Sequence, residues 1–268
     1  MRRSRVKATL FLGGGRITSA LVAGLQGAGY KRPIIVHDRH PSKLRQLERQ
    51  YGISAETDLQ RALAHADSVI VAVRPGSVAD LVPKIFNAGR KLLAISLAAG
   101  IPLSRLRALS GTRIRWARAM PSPACRTGRG LTAITFDRTF PRPNRERVRS
   151  LFALLGPVLE IPECQFDAFT VTYSTSHGYH ALQILAEAAG KLGLDRKTAF
   201  LAAAHALADG VLSWREGKAP LNDLLREAAT PRGIAATVME GMNSAGYVQA
   251  VQHGLRAGLS RAKKNARS

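Results

Sequence analysis

The first residues whose spacing could do chemistry are three consecutive glycines at 13–15, in the stretch TLFLGGGRITSALVAGL. An apolar run precedes them and a helical pattern follows. Gly13 can take the tight turn between the two, and Gly15 lets the backbone approach a pyrophosphate at the positive end of a helix. The third small position of such loops is Thr18 here, a departure from glycine. The stretch predicts a dinucleotide-binding loop, with a turn that binds nothing as the alternative. The predicted cofactor contacts in it are Gly13, Gly15, Arg16 and Ile17.

A second polar group follows about 20 residues later, the distance at which these loops place a ribose-binding residue. It lies in the stretch VHDRHPSK. Asp38 could accept hydrogen bonds from ribose hydroxyls, which favours NAD. Arg39, His40 and Lys43 could surround a 2′-phosphate, which favours NADP. The three cationic or titratable side chains outweigh one carboxylate, so we expect NADP, with NAD possible. The same three could equally form an exposed basic turn.

The elements that must position these residues alternate between strand-like and helical segments. Short runs rich in valine, isoleucine and leucine are typical of parallel strands buried on both faces. The series is therefore βαβαβ and predicts an α/β, Rossmann-type domain. In chain order its segments are ATLFL, ITSALVAGLQGAG, PIIVHD, SKLRQLERQYG, SVIVAV, SVADLVPKIFNAG and KLLAISLA.

The pattern changes at about residue 163. LTAITF, a Pro/Arg-rich loop, the helix RVRSLFALLG and a short apolar piece PVLEIP come before it, and only helical patterns follow. We therefore predict a Rossmann domain over 1–162 and an all-helical domain over 163–268. The helical patterns YHALQILAEAAGKLG and RKTAFLAAAHALADGVLSWREG are apolar over much of their circumference. Such helices must pack on more than one side, which predicts burial against a second subunit.

Composition narrows the possible partners and locations. The formal net charge of +22 would attract nucleic acid or acidic lipid without sequence preference, and would help gather an anionic substrate and cofactor. The basic residues are scattered and no nucleic-acid recognition motif accompanies them, so we expect no specific nucleic-acid partner. No apolar run is long enough to cross a bilayer, and the first residues lack a signal-peptide pattern, so we expect a cytoplasmic protein with no membrane partner. Cys125 and Cys164 have no metal-type spacing, and we expect no metal and two incidental thiols.

The chain as a whole resembles the pyrroline-5-carboxylate reductase family. The resemblance rests on six segments in the family's order: FLGGGRITSALVAGL, VAVRPGSVADLV, ISLAAGI, RAMPSPACRTGRGLTAI, KLGLDRKTA and PLNDLLREAATPRGIAATVMEGM. It implies a Rossmann domain and a helical dimerisation domain. It also implies a site between them, at the subunit interface, where nicotinamide delivers hydride to a cyclic imine carbon. The implied reaction is the NAD(P)H-dependent reduction of pyrroline-5-carboxylate in proline synthesis.

The resemblance also assigns cofactor residues beyond the glycine loop. Val73, Arg74 and Pro75 occupy the loop after the third core strand, and Ala98, followed by alanine and glycine, occupies the next strand end. Both places agree with the rule that ligands bind at the carboxyl ends of parallel strands. Met120 is implied to lie beside the nicotinamide, although a plain core methionine is the alternative.

The segment that most clearly departs from the family is TPRGIA at 230–235. The family has a serine-proline-glycine-glycine-threonine-threonine loop there, which holds the substrate's carboxylate and imine nitrogen. Both threonines are absent, but Thr230 can cap a helix that starts at Pro231 and so keep an anion-binding N-terminus. Arg232 is a fork-shaped cation suited to a carboxylate, unless it points to solvent. We therefore assign Thr230, Arg232 and Gly233 to the catalytic residues, with binding of the substrate as their role.

A second departure is the segment TVTYSTSHGYHAL, where the family has a serine/glycine run ending in proline, alanine and tyrosine. Two registers are possible, which place His177 at the family's proline or at its tyrosine. Either way, the segment adds titratable side chains: Tyr173, His177, Tyr179 and His180. A histidine could donate the proton that an imine nitrogen needs, so we assign His177 a catalytic role, with His180 as the alternative. The competing explanation for either is a surface or packing residue.

A third departure is Ser122-Pro123, which replaces an amide and a hydroxyl of the family. Three altered substrate segments beside retained cofactor segments indicate either a changed substrate or lost activity. The leading hypothesis is an imine reductase acting on pyrroline-5-carboxylate, as a homodimer or a larger assembly of dimers. The alternatives are a divergent imine or ketimine reductase in a specialised biosynthetic route and a non-catalytic nucleotide-binding protein.

Overall fold

The computed structural model describes residues 7–86, 92–111 and 114–267. Its central feature is an eight-stranded sheet with the strand order β3-β2-β1-β4-β5-β6-β7-β8. Every neighbouring pair is parallel except β6 and β7, which are antiparallel. The strands are β1 (Ala8–Leu12), β2 (Ile34–His37), β3 (Ser54–Glu56), β4 (Ala66–Val71), β5 (Leu93–Ser96), β6 (Arg115–Met120), β7 (Thr132–Phe136) and β8 (Val158–Glu160).

Helices connect the strands and make up the C-terminal part of the chain. Two short 3-10 turns, Pro75–Ser77 and Pro123–Thr127, follow β4 and β6. The helices are α1 (Arg16–Gly27), α2 (Pro41–Tyr51), α3 (Leu59–His65), α4 (Val78–Phe86), α5 (Leu103–Ser110), α6 (Arg142–Ala153), α7 (Glu163–Thr172), α8 (Thr175–Lys191), α9 (Arg196–Glu216), α10 (Leu221–Ala228), α11 (Ile234–Ser244) and α12 (Tyr247–Asn265). None of these described helices has the length and apolarity needed to cross a membrane.

The sheet is buried on both faces. Alternate residues of β1 face opposite ways, so Phe11 joins one apolar cluster while Leu10 and Leu12 join the other. The first cluster takes its helical residues from α1, α2 and α6, and the second from α3, α4 and α5. This doubly covered parallel sheet confirms the predicted Rossmann-type architecture.

The chain divides into two compact units. One contains the residues up to Tyr173 together with those from Gly258 onward, and the other contains Ser174–Ala257. The C-terminal end of α12 thus belongs to the sheet unit: the Asn265 side-chain amide donates to the Ala99 carbonyl at 3.2 Å. The domain boundary predicted at 162/163 stays a prediction.

Several local expectations were incomplete. The strand β3 and the helix α3 have no counterpart in the predicted series, and β7 runs against its neighbour β6. The Pro/Arg-rich loop is shorter than predicted, because α6 already begins at Arg142 and carries Pro143 in its first turn, where proline needs no donor. The predicted end of the helix after Phe86 and the predicted start of the next strand fall on 87–91, outside the described residues.

Candidate active site

The glycine turn that follows β1 has the geometry of a ligand-binding turn. Gly13 has a φ of +108°, and a Cβ there would lie 2.8 Å from the Ala72 carbonyl oxygen. Gly13 also donates its N–H to the His37 carbonyl at 2.7 Å, which ties the turn to β2. The position therefore excludes every side chain, both by its backbone conformation and by lack of space.

The N-terminus of α1 is open and has no acidic residue in its first turn. Gly15 is the N-cap, and a Cβ built on it would meet nothing within 4 Å. The first N–H to bond back along the helix is that of Ser19, to the Gly15 carbonyl at 3.0 Å. The N–H groups before it have no partner within the helix, as in all helix N-termini, and they favour an anion. This cradle fits the pyrophosphate of a dinucleotide.

Thr18 has a structural reason for replacing the third glycine. Its side chain is buried, and its hydroxyl donates to the Gly13 carbonyl at 2.5 Å, which stabilises the turn. The close approach that the third glycine usually allows occurs at Gly24 instead. A Cβ on Gly24 would overlap the Cys125 carbonyl oxygen in the 3-10 turn after β6.

Asp38, directly after β2, uses its carboxylate to connect the glycine turn with the loop after β2. Its Oδ2 accepts from the Gly14 N–H at 2.8 Å, and its Oδ1 accepts from the His40 N–H at 2.9 Å. The His40 ring and the Lys43 ammonium lie 2.8 and 3.6 Å from its two oxygens. Burial raises the pKa of Asp38, but these hydrogen bonds and the Lys43 charge outweigh burial and lower its pKa to about 2. The carboxylate is thus ionised and already hydrogen-bonded within the protein.

The predicted cofactor residues gather at one edge of the sheet. Val73, Arg74 and Pro75 follow β4, Ala98 follows β5, and Met120 ends β6. Since β1, β2, β4, β5 and β6 are parallel, their carboxyl ends lie on the same edge as the glycine turn and Arg39. The Ala72 N–H bonds to the Leu12 carbonyl at 2.8 Å, which joins the loops after β4 and β1. Ligands bind at this edge in open α/β sheets.

A buried arginine fastens β6 to α7. Arg118 is 1% exposed and bonds to Glu163 at 2.9 Å and to Asp167 at 2.8 Å. Its guanidinium also lies 4.2 Å from the centre of the Phe166 ring. Glu163 accepts a further hydrogen bond from the Leu103 N–H, at the start of α5. Three elements that border the sheet edge are therefore held by one charged cluster.

The far end of α7 returns to the sheet edge. Tyr173 ends this helix, and its hydroxyl donates to the Ser122 Oγ at 3.0 Å. Ser122 is buried two residues after Met120, and its Oγ also accepts from the Ala124 N–H. A phenol and a serine hydroxyl are thus hydrogen-bonded at the edge where cofactors bind.

The four predicted catalytic residues lie in the helical unit. Three of them form one turn, in which the Gly233 N–H bonds to the Thr230 carbonyl at 2.9 Å. Arg232 has a φ of +65° and is the only non-glycine residue with positive φ in the described part of the chain. The predicted helix cap at Thr230 was wrong: the N-cap is Gly233 and α11 begins at Ile234. The left-handed Arg232 interrupts the backbone, so Pro231 cannot start the helix. His177 lies exposed in the first turn of α8.

Comparison with known proteins gives matches in both halves of the chain. The family described as NADP oxidoreductase, coenzyme F420-dependent, matches residues 9–100, and the one described as pyrroline-5-carboxylate reductase dimerisation matches residues 163–265. The pyrroline-5-carboxylate reductase of Thermus thermophilus is 34% identical over 92% of this chain and 96% of its own length. The chain belongs to the pyrroline-5-carboxylate reductase family.

Other matches agree with this membership. The pyrroline-5-carboxylate reductase of Corynebacterium melassecola is 28% identical over 94% of this chain and 96% of its own length. A crystal structure of Plasmodium falciparum pyrroline carboxylate reductase with NADP bound has a TM-score of 0.88 and 19% identity. It covers 97% of this chain and 98% of that one, and it supports the fold. The resemblance drawn from the sequence motifs is therefore confirmed.

Sequence reasoning missed two features of this family member. Arg118 lies between two alanines in β6, and Glu163 and Asp167 are four residues apart on one helix, so the sequence contained the signal for a buried ion pair. Tyr173 was noted only as an added titratable group. Its contact with Ser122 joins residues 51 positions apart and had no signal in the sequence. The roles of the individual site residues stay predictions.

Proposed function

We propose that this protein reduces pyrroline-5-carboxylate to proline, with NADPH as the hydride donor. The observation that carries the proposal is membership of the reductase family along nearly the whole chain. The open glycine turn at the carboxyl edge of the sheet supports it independently, since that turn fits a dinucleotide. When bound, the cofactor supplies the hydride; the chain supplies binding, orientation and a proton.

For the dinucleotide, we assign the pyrophosphate to the N-terminus of α1. Gly13 and Gly15 let the backbone approach it, and the first-turn N–H groups of Arg16 and Ile17 face it. The crystal structure of the Plasmodium falciparum relative holds NADP. Here the hydrogen bonds to Asp38 leave this carboxylate little capacity to accept from ribose hydroxyls, while Arg39 is exposed beside it. Both features favour NADP over NAD.

For the nicotinamide end, we assign the loops after the central strands. Val73, Arg74 and Pro75 would border the cofactor on one side and Ala98 on the next. Met120 is half-buried at the end of β6, which leaves part of its side chain free to contact the nicotinamide ring. These five assignments rest on the shared strand edge and on the family resemblance.

For the substrate, we assign the carboxylate to the turn before α11. The N-terminus of α11 begins right after Gly233 and favours an anion, and the exposed Arg232 adds a cation. Thr230 closes the turn through its carbonyl. The left-handed conformation of Arg232 costs energy for a non-glycine residue, and such strain is often kept at functional sites. A catalytic role for His177, in the first turn of α8, stays a prediction.

The exposed apolar residues of the helical unit support assembly as a homodimer or a larger assembly of dimers. Leu192 is 88% exposed, Ile234 87% and Tyr179 70%. Extensive exposed apolar surface is typical of protein–protein contact regions. We keep the cytoplasm as the predicted location, which cell fractionation would check.

The test is NADPH oxidation by the purified protein with pyrroline-5-carboxylate, beside NADH at the same concentration. We expect turnover with both substrate and NADPH present, and a lower KM for NADPH than for NADH. Formation of proline should match the NADPH consumed. Tight NADPH binding without turnover would contradict the proposed reaction.

A second candidate is the reduction of another cyclic imine, favoured by the substrate turn. Ile234 and Ala235 replace the two threonines of the family loop, and Arg232 occupies a position that glycine would take more easily. A panel of cyclic imines, with and without a carboxylate, separates the two candidates. If Arg232 binds the carboxylate, Arg232→Ala should raise the KM for carboxylated imines alone. An unchanged KM would remove Arg232 from the site.

A further inference from the structure

We propose that the Tyr173 hydroxyl, held by Ser122, donates the proton to the imine nitrogen during reduction. This inference rests on the proposed function. Reduction of a C=N bond adds hydride to carbon and sends the π electron pair to nitrogen, which must gain a proton. The hydroxyl that the family resemblance would place at this nitrogen is absent here, because Ile234 and Ala235 stand where the family has its two threonines. The role is therefore open to another group of the chain.

The Tyr173–Ser122 pair stands at the correct edge of the sheet. Ser122 follows β6, which is parallel to β5, so it leaves the sheet beside the loop that contains Ala98. Tyr30 is the contrasting case. Its hydroxyl lies 2.7 Å from the Thr9 Oγ1 at the start of β1, toward the opposite edge. Of these two tyrosines in the sheet unit, Tyr173 is the one near the expected position of the cofactor.

The hydrogen-bonding pattern leaves a route for the proton. The Ser122 oxygen accepts from both the Tyr173 hydroxyl and the Ala124 N–H, and the serine keeps its own proton. Ser122 is buried, while Tyr173 is only half-buried and can meet a ligand. In the proposed step the O–H bond of Tyr173 breaks, an N–H bond forms, and the phenolate is stabilised by the Ser122 hydroxyl. A proton from water then restores the phenol.

The position of Tyr173 is fixed before any ligand binds. Arg118 holds α7 through Glu163 and Asp167, and stacks on Phe166. At the far end of the helix the Tyr173 ring packs on Phe169, with 5.2 Å between ring centres. A group held in this way needs little reorganisation during the reaction. The arginine cluster therefore positions the phenol, while the phenol touches substrate.

The decisive variant is Tyr173→Phe, which removes one oxygen atom. We expect kcat with pyrroline-5-carboxylate to fall about 100-fold, with little change in the KM for NADPH or in its affinity measured by fluorescence. The primary isotope effect with deuterated NADPH should increase, because hydride transfer becomes slower. The affinity of the NADP⁺ complex for proline should weaken about tenfold, since a hydrogen bond to the ring nitrogen is lost.

Four further variants make the result specific. Tyr30→Phe is the matched control, because it removes a phenol hydroxyl of the same unit from the opposite edge, and kcat should stay unchanged. Ser122→Ala should lower kcat less than Tyr173→Phe, and the double variant should be no worse than Tyr173→Phe alone, since the two hydroxyls act together. His177→Ala tests the other predicted donor, and it should lower kcat less than Tyr173→Phe does.

The outcomes separate the two proposals. If the wild-type protein turns over pyrroline-5-carboxylate and Tyr173→Phe retains its kcat and proline affinity, the inference is wrong and the proposed function stands. Loss of kcat in His177→Ala alone would assign the proton to His177 and also overturn the inference. If the wild-type protein has no activity on this substrate, the proposed function fails and this inference fails with it.

Discussion

The two compact units differ in where their apolar side chains go. In the sheet unit, large residues such as Phe11, Trp116 and Phe152 are fully buried in two clusters, one on each face of the sheet. In the helical unit the buried cluster consists of Ala186, Ala199 and Ala203. The larger apolar residues of this unit are exposed instead, among them Phe200, Leu201, Leu212, Trp214, Val238 and Met242.

This difference shows which unit is complete within one chain. A core of three alanines removes little apolar area from water, and small domains are already marginal in stability. The sheet unit can therefore stabilise itself, whereas the helical unit depends on a further surface to cover its helices. A second copy of the chain is the partner that our proposed assembly supplies.

Individual glycines of the two units illustrate different packing. A Cβ on Gly13 or Gly24 of the sheet unit would collide with backbone atoms, while a Cβ on Gly178, Gly190 or Gly210 would meet nothing within 4 Å. At Gly13 and Gly24, glycine permits close packing inside the chain. At the three helical positions, nothing in the described part of the chain requires glycine.

The largest effect should come from placing charge on the exposed helices. Leu201 and Leu212 of α9 are eleven residues apart, which puts them on one face of the helix. The double change Leu201→Glu and Leu212→Glu should convert the assembly to monomers and reduce the helical signal in circular dichroism. Light scattering after gel filtration measures the mass. Leu159→Glu, at an exposed position of β8, is the matched control and should leave the assembly intact. A double variant that keeps the wild-type mass would contradict the assembly surface.

The second effect tests the close packing of the sheet unit. Gly24→Ala should destabilise the protein by about 3 kcal/mol, because the new methyl group overlaps the Cys125 carbonyl and α1 must move. Gly27→Ala lies on the same helix with open space around it, and should be neutral or stabilising. Urea unfolding compares the two. Equal midpoints for both variants would show that α1 can shift without cost.

The third effect is the pH dependence of the free energy of unfolding that arises from Asp38. Its folded pKa of about 2 is below the ordinary value of 3.8, so the folded state favours the ionised form. The stabilisation is about 2 kcal/mol above pH 4, and it is lost as the pH falls from about 4 to about 2. Asp38→Asn should lower the free energy of unfolding at neutral pH and flatten its decline in that window.

The control for Asp38 lies in the helical unit. Asp195 caps α9 and is fully exposed, and hydrogen bonds from the Thr198 hydroxyl and N–H lower its pKa. Asp195→Asn should change stability little, because asparagine also caps helices well. Urea titrations of both variants between pH 2 and pH 7 give the comparison. If the free energy of unfolding falls as steeply at low pH in Asp38→Asn as in the wild-type protein, the Asp38 carboxylate does not stabilise the contact between the glycine turn and the loop after β2.

The sequence predicted those parts of the fold that depend on local pattern. The run ATLFL, the glycines and the apolar period of α1 all favour one strand-turn-helix unit, which the structure confirms. The strand β3 was missed because SAE is short and polar, and only pairing with β2 makes it a strand. The helical reading from Glu163 onward was confirmed, because long alanine- and leucine-rich stretches have a strong helical propensity.

The parts of the site that could not be predicted from the sequence are of two kinds. Some depend on competition between local backbone conformations, and others on contacts between residues that are far apart in the sequence. Threonine followed by proline predicts a helix start at this position. The structure instead has a turn over Thr230–Gly233, because Arg232 adopts a left-handed conformation. The hydrogen bond from the Gly14 N–H to the Asp38 carboxylate depends on the pairing of β1 with β2. Residue type and spacing therefore located the cofactor edge, while the hydrogen-bond partners within it required the structure.

The smallest effect tests whether the side of α9 that carries Gly210 faces solvent or a second copy of the chain. Gly210 lies in the middle of this helix, where glycine is less favourable than alanine by about 1 kcal/mol. Gly210→Ala should therefore stabilise the protein by about that amount, measured by urea unfolding at constant protein concentration. A loss of stability together with a loss of mass would show that a second copy packs against Gly210 itself. In that case the assembly surface extends from Leu201 and Leu212 onto the glycine side of α9.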